Sequence, residues 1–307
     1  MSGVDYAPHR RSQRGRLGRV VARAWERSVV LVFRATSALL VRVPLRISEP
    51  VARLGFAAGY YLWPSKRRVI KANAGHVLGL LPDDPKVAAL ARGIYAAYAR
   101  FTIEIMRLPG LPADEPARLV HTEGPHHERF MALWETQRTS GHGIIAVSGH
   151  IGSIEVFAGA YAQQGIPTYG LADDSAFEEL FELLTESRAR WGVTIIPWRR
   201  LRDIFRVMRS PTILGMVVDW GYRPDDLPVR LFGRWTTLPA GPATLAARTG
   251  AALVPVMARR REDGTYDPIM YDPIEVAGSA PAEIAAATQA IADALEDMVA
   301  DAPEQWY

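Results

Sequence analysis

The 307-residue chain contains no cysteine. That excludes a disulfide framework, a thiolate nucleophile and a zinc site built on sulfur, and it suits a reducing compartment. Other absences narrow the chemistry. No Gly-x-Gly-x-x-Gly, Walker-type phosphate loop or Gly-x-Ser-x-Gly elbow occurs, so the common dinucleotide, nucleotide and serine-hydrolase signatures are missing. His121, His126, His127 and His142 lack metal-ligand spacing and read as surface or loop residues, so no metal is expected. No apolar run reaches about 18 residues without charge, because Arg34 and Arg42 interrupt Val29–Phe33 and Ala38–Val41. A secretory signal is not expected: the charged stretch is long and no clear small-residue cleavage site follows it. Internal repeats and low-complexity segments are also absent.

What remains is ordinary in bulk and uneven in detail. Hydrophobic residues make up 49% and charged residues 22%, values of a folded globular protein with a sizeable core. The net charge of +3 conceals an asymmetry. Residues 1–71 hold 15 of the 36 Lys/Arg and 3 of the 33 Asp/Glu, which leaves 21 basic and 30 acidic residues for the rest. A basic arm on an acidic body implies an anionic partner, either nucleic acid or phospholipid headgroups. The arm's pattern points to lipid. Arg23, Arg27, Arg34 and Arg42 are interleaved with Trp25, Phe33 and strongly apolar stripes, and Phe56, Tyr60, Tyr61 and Trp63 follow. This composition suits helices lying in the interface of an anionic phospholipid membrane. The alternative is an ordinary amphipathic helix packed on the body with its arginines in water. The expected location is the cytoplasmic face of the cell membrane, peripheral or anchored through the N-terminal helix, with no nucleic-acid partner.

Residues 1–16 read as a disordered basic tail. Residues 17–112 read as amphipathic helices, with breaks at Pro44, Pro50, Pro64 and the Pro82-Asp83-Asp84-Pro85 cluster. Lys86 to Arg107 carries Leu90, Ile94, Ala97, Phe101 and Ile105 on one side of a helix. Residues 113–307 read as an α/β core packed with these helices as one unit. Strands are predicted at 144–148, 167–171, 193–196, 212–218, 253–258 and 268–276. Helices are predicted at 125–138, 153–164, 176–191, 200–209, 240–249 and 281–300. This alternation predicts a central mixed, largely parallel sheet flanked by helices. Ligands of such sheets sit beyond the carboxyl ends of the strands.

One run stands at that position: Ser148-Gly149-His150-Ile151-Gly152-Ser153-Ile154-Glu155. A histidine beside an acid at a strand-to-helix turn suits removal of a proton from a hydroxyl. Five residues on a regular helix turn through about 500°, so the two side chains can meet only if His150 lies in the turn and Glu155 in the first helical turn. There the helix dipole also favours a carboxylate. The bland alternative is a loop histidine beside a helix-start glutamate. Arg188-Ala189-Arg190-Trp191-Gly192 ends a helix, and an arginine there could reach an anionic substrate or an oxyanion, or merely satisfy the helix dipole. Asp219 ends an apolar strand, where acids either serve a site or begin a turn. Leu238-Pro239-Ala240-Gly241-Pro242-Ala243 opens a helix whose free amides could meet an anion.

With these motifs in order, the sequence resembles the bacterial lipid acyltransferase family that includes the late acyltransferases of lipid A synthesis and the phosphatidylinositol mannoside acyltransferases. The resemblance covers roughly residues 20–277 and is clearest from 143 to 256. His150 to Glu155 is similar to the family's His-x4-Asp/Glu motif. Arg188–Gly192, Val217-Val218-Asp219, Leu231-Phe232-Gly233, Thr237–Ala243 and Arg248-Thr249-Gly250-Ala251 follow in the family's order. Asp219-Trp220-Gly221 departs from an Asp-Arg-Asp common in the family, and Ile151-Gly152-Ser153-Ile154 departs after the histidine. The resemblance implies a glycerolipid-acyltransferase-like fold and no bound cofactor. The acyl chain would come from acyl-CoA or acyl-ACP as co-substrate and pass to a hydroxyl of a glycolipid acceptor. It implies His150 as general base and Glu155, with Asp219, as orienting acids. It implies Arg188, Arg190, Ser148 and the Gly241 amide as groups that bind the oxyanion, donor or acceptor. A lipid A precursor or lysophospholipid acceptor, a lipid-ester hydrolase, and a non-enzymatic membrane or nucleic-acid binder remain the alternatives.

Overall fold

Short apolar runs bounded by glycine and proline build the centre of the molecule. The computed structural model describes residues 16–173, 178–220 and 226–307, with the side chains of residues 16–23 left out. The tail expected over 1–16 therefore lies outside the described residues except for Arg16, and so does the Arg23 side chain. Five strands run parallel: β1 (Ile144–Ser148), β2 (Thr168–Ala172), β3 (Val193–Pro197), β4 (Ile213–Val217) and, after a hairpin, β7 (Ala252–Arg260). β8 (Tyr266–Met270) adds antiparallel to β7, and the order across the sheet is β3-β2-β4-β1-β7-β8. The mixed, largely parallel sheet expected from the alternation is present. β8 stops short of the predicted residue 276. Pro273, which cannot donate to a ladder, leaves only an isolated bridge between Ile274 and Leu253 beyond it.

The hairpin was not foreseen. β5 (Leu227–Leu231) and β6 (Arg234–Leu238) pair antiparallel around Phe232 and Gly233, both with positive φ (48° and 68°). A two-residue turn with both φ positive matches the twist of a hairpin. Phenylalanine rarely adopts that conformation, so the sequence carried no usual turn signal.

Strand β1 is buried on both faces. Ile145 and Val147 join a cluster with Leu245, Ile291, Leu295 and Met298 from α10 (Gly241–Thr249) and α11 (Pro281–Asp301). Ile144 and Ala146 join Phe130, Trp134, Phe157 and Tyr161 from α6 (Pro125–Thr139) and α7 (Ile154–Ala162) on the other face. Burying such side chains contributes about 1.5–3 kcal/mol each.

Before the sheet come α1 (Arg16–Arg42), α2 (Leu45–Leu62), α3 (Pro64–Leu78) and α4 (Pro85–Arg107), then the short α5 (Glu115–Leu119). Pro85 and the Asp84 carboxylate, which accepts the Lys86 N–H at 2.7 Å, start α4, and Gly79 in left-handed conformation ends α3. Pro50 was expected to break the chain but lies within α2. It lies in the second turn, so only one ladder bond is lost, to the carbonyl of the exposed Arg46. α4 ties the helices to the sheet. Arg107 donates to the Leu40 and Val43 carbonyls at 2.9 and 3.0 Å, and Glu104 accepts from Arg100 at 2.7 Å and from Arg260 of β7 at 3.2 Å.

The outer side of these helices is apolar and uncovered. On α1, Trp25, Val32 and Leu39 recur every seven residues and are all more than 60% exposed. On α2, Ile47, Val51, Leu54, Tyr61 and Leu62 fall on one stripe and are exposed too. Among the described residues no helix is long and apolar enough to cross a membrane. α8 (Glu178–Ala189) and α9 (Leu201–Val207) complete the helices around the carboxyl ends of β2 and β3.

Candidate active site

The loop that carries His150 is pinned by backbone on every side. The Val218 N–H bonds the carbonyl of Ser148, the last residue of β1, at 2.9 Å. The Gly152 N–H reaches the Gln305 carbonyl at 3.1 Å, and the Ser153 N–H the Ala258 carbonyl at 3.2 Å. The Tyr307 N–H closes on the His150 carbonyl at 2.9 Å. Gly152 has φ +61°, and a Cβ there would stand 1.9 Å from the Ala258 oxygen. Only glycine fits this approach. The loop places the imidazole beyond the end of β1, 41% exposed at the side chain.

The parallel pairing of β1 with β4 sets Ser148 opposite Val217. Two residues further along β4's path, Asp219 comes beside His150. Asp219 Oδ1 lies 2.7 Å from His150 Nδ1, and Oδ2 accepts the His150 backbone N–H at 2.9 Å. The Asp219 side chain is only 5% exposed. Burial alone would raise its carboxyl. The hydrogen bond and charge of His150, its backbone N–H and the indole N–H of Trp306 at 2.9 Å outweigh burial and hold it below the usual range. Burial likewise disfavours the imidazolium, but the hydrogen bond and charge of Asp219, with a further contribution from Glu155, raise His150 above its ordinary value. An ionised Asp219 accepts only, so Nδ1 carries the hydrogen and Nε2 keeps a lone pair for a substrate proton.

Glu155 stands at the start of α7 and accepts from Arg188 Nη2 at 3.0 Å, both side chains being largely buried. The acid on the imidazole is therefore Asp219, while Glu155 is engaged with Arg188. The Arg188–Gly192 run divides its work. Arg188 faces the site. Arg190 turns away, donating to the Pro109 and Leu108 carbonyls at 2.6 and 3.3 Å, and Trp191 Nε1 donates to the Pro112 carbonyl at 3.0 Å. Ser148 is fully buried, its hydroxyl has no partner among the described residues, and it does not reach the cavity wall. Neither Arg190 nor Ser148 lines the cavity beside His150.

His150, Glu155 and Arg188 open on a cavity of about 840 Å³. Its far wall is apolar, with Leu171, Leu201, Ile204, Phe205, Met216 and Leu245. Gly241 at the start of α10 and Arg248 in its last turn close another side. Arg248 has no hydrogen-bond or ion-pair partner among the described residues. Trp220 stands edge-on to the imidazole with ring centres 6.0 Å apart. The cavity thus joins an imidazole, cationic side chains and an apolar wall of the kind that takes an apolar ligand. No three His, Asp or Glu side chains among the described residues group as a metal site. The arrangement can take a proton from a hydroxyl at Nε2, stabilise the resulting imidazolium through Asp219, and present the remaining guanidinium N–H groups of Arg188 to an oxyanion.

Of the membrane-facing candidates, Trp25 and Arg34 are exposed, Arg27 lies 3.5 Å from Glu179, Arg42 donates to the Ala38 carbonyl of its own helix, and Phe33 is half-buried. Trp306 and Arg248 were not singled out as site residues from the sequence. Trp306 comes 87 positions after the acid it touches, and no local pattern announces it.

Residues 21–307 match the family described as bacterial lipid A biosynthesis acyltransferase. The chain is similar to a phosphatidylinositol mannoside acyltransferase of Mycolicibacterium smegmatis, 27% identical over 278 residues, covering 87% of this chain and 86% of that protein. It is similar also to a phosphatidylinositol mannoside acyltransferase of Mycobacterium tuberculosis, 27% identical over 248 residues, with 78% and 74% covered.

Proposed function

Because this chain belongs to the bacterial lipid A biosynthesis acyltransferase family and is an acyltransferase, we propose that it moves a fatty acyl chain from an acyl thioester, acyl-CoA or acyl-ACP, to a hydroxyl of a phosphatidylinositol mannoside. The observation that carries the reading is the His150 Nδ1–Asp219 bond at the mouth of a half-apolar cavity. The acceptor hydroxyl gives its proton to His150 Nε2 as its oxygen attacks the thioester carbonyl. Arg188 and the amides opening α10 face the negative charge that develops on the carbonyl oxygen. The carbon–sulfur bond breaks, and the imidazolium returns the proton to the leaving thiolate. The names of the two mycobacterial relatives support the mannoside acceptor. The exposed apolar stripes of α1 and α2, set among Arg27, Arg34, Arg46 and Arg53, support a peripheral seat on an anionic membrane surface, where a lipid acceptor resides.

The test is thiol release from palmitoyl-CoA by the wild type and by His150→Ala, with and without purified phosphatidylinositol mannoside, followed by mass spectrometry of the lipid. Release that requires both His150 and the mannoside, with the lipid heavier by one acyl group, is the expected result. Release without an acylated lipid would replace this reading with hydrolysis, and acylation of a lipid A precursor alone would replace the acceptor.

A further inference from the structure

A buried carboxylate turns freely about its last torsion unless its oxygens are held. In Asp219, Oδ1 faces the imidazole, and Oδ2 accepts from the His150 N–H and from Trp306 Nε1, each at 2.9 Å. The first of these donors belongs to the same loop as the imidazole and moves with it. The second comes from a separate segment that is itself firmly fixed. Gln305 accepts the Gly152 N–H through its carbonyl, and its side chain bonds the Arg260 N–H at 2.8 Å and the Arg260 carbonyl at 3.0 Å. Trp306 bridges to Ile151, and the Tyr307 N–H holds the His150 carbonyl. The hairpin adds a side support. Phe232, in a left-handed conformation that a non-glycine residue rarely adopts, sets its ring 6.0 Å from the Trp306 ring.

We propose that Trp306 is a positioning residue of the acyl transfer: its indole N–H holds the Asp219 carboxylate turned so that Oδ1 stays on His150 Nδ1. This rests on the reading of His150 as the general base. Trp306 touches neither substrate nor reacting atoms, and acts through Asp219 alone. The charged groups that face His150 are Asp219 from the end of β4 and Glu155 from α7, the latter engaged with Arg188 of α8. The charged group facing Asp219 is His150, and the neutral indole donates to it.

The experiment compares wild type, Trp306→Phe, Trp306→His and His150→Ala, with palmitoyl-CoA and a membrane lipid extract containing phosphatidylinositol mannosides. The readouts are kcat, KM and the pH profile of kcat. Trp306→Phe keeps an aromatic ring against Phe232 and removes only the donor. Its kcat should fall about tenfold, the size of a lost charge-assisted hydrogen bond, with KM unchanged. The acid limb should move to lower pH, because an imidazolium that loses part of its carboxylate gives up its proton more readily. Trp306→His, which restores a ring N–H, should recover part of both. An unchanged kcat in Trp306→Phe, or a lower kcat with the acid limb unmoved, would overturn the assignment and leave Trp306 as packing. If the phenylalanine variant melts below the assay temperature, Trp306→His decides: a lowered kcat with the acid limb moved part of the way to lower pH supports the role, and an acid limb at the wild-type position overturns it. Full activity in His150→Ala would instead remove the base reading itself.

Discussion

At the scale of single residues, the site reads as a histidine whose two nitrogens have different duties. Nδ1 is committed to Asp219, and in the proposed transfer Nε2 takes the substrate proton. The base must be neutral to work, and its proton is held more tightly than usual. The acid limb of kcat/KM should therefore have its midpoint above about 6.5, the ordinary histidine value. Asp219, held below the usual carboxylate range, stays ionised throughout that limb. A midpoint at or below 6.5 would show that the pair does not control the rate. Asp219→Asn should lower kcat by about three to four powers of ten, as replacing the acid of a His-acid pair does when the imidazole tautomer is lost. Rates within tenfold of wild type would return the orienting role to Glu155. His150 was legible in the sequence because a strand, two glycines and a helix surround it. That Asp219 rather than Glu155 contacts the imidazole was not legible, since the two strands that bring residues 148 and 217 level are joined by hydrogen bonds that local pattern cannot see.

At the scale of elements, the loop between β1 and α7 is held by close backbone approach. Gly152→Ala would place a Cβ within bonding range of the Ala258 oxygen and force a left-handed φ on alanine. We expect a loss of at least about 2 kcal/mol of stability, read as a lower melting temperature, together with loss of activity. An alanine variant that melts with wild type would mean that β7 and the loop separate easily. The parallel strands were legible because each is a short apolar run between glycine or proline breaks. The β5–β6 hairpin was not, because its turn uses Phe232 where asparagine, aspartate or glycine would have signalled it. The contact of that phenylalanine with Trp306 exists only in three dimensions.

At the scale of the whole molecule, the chain separates a catalytic face from an apolar outer side of its first helices. The exposed stripes on α1 and α2 were legible as amphipathic periodicity. Their lack of cover by the body was not, because a sequence does not say which stripe finds a partner. If the stripes enter a lipid interface, Val51→Ser with Leu54→Ser should weaken sedimentation with anionic vesicles at least about tenfold, each side chain removing roughly 1.5 kcal/mol or more of apolar contact. Solution activity on a detergent-dispersed acceptor should stay near wild type. Equal sedimentation would assign the stripes to a protein partner instead.

The hydrogen bonds that hold Asp219 link residues 69 and 87 positions apart. Contacts of such separation pay a large loop-closure entropy before they return any stability, so they form after the helices and the nearest strand pairs. Acyl transfer is thus among the last properties the chain acquires as it folds. A population can regain its helical content while remaining catalytically silent.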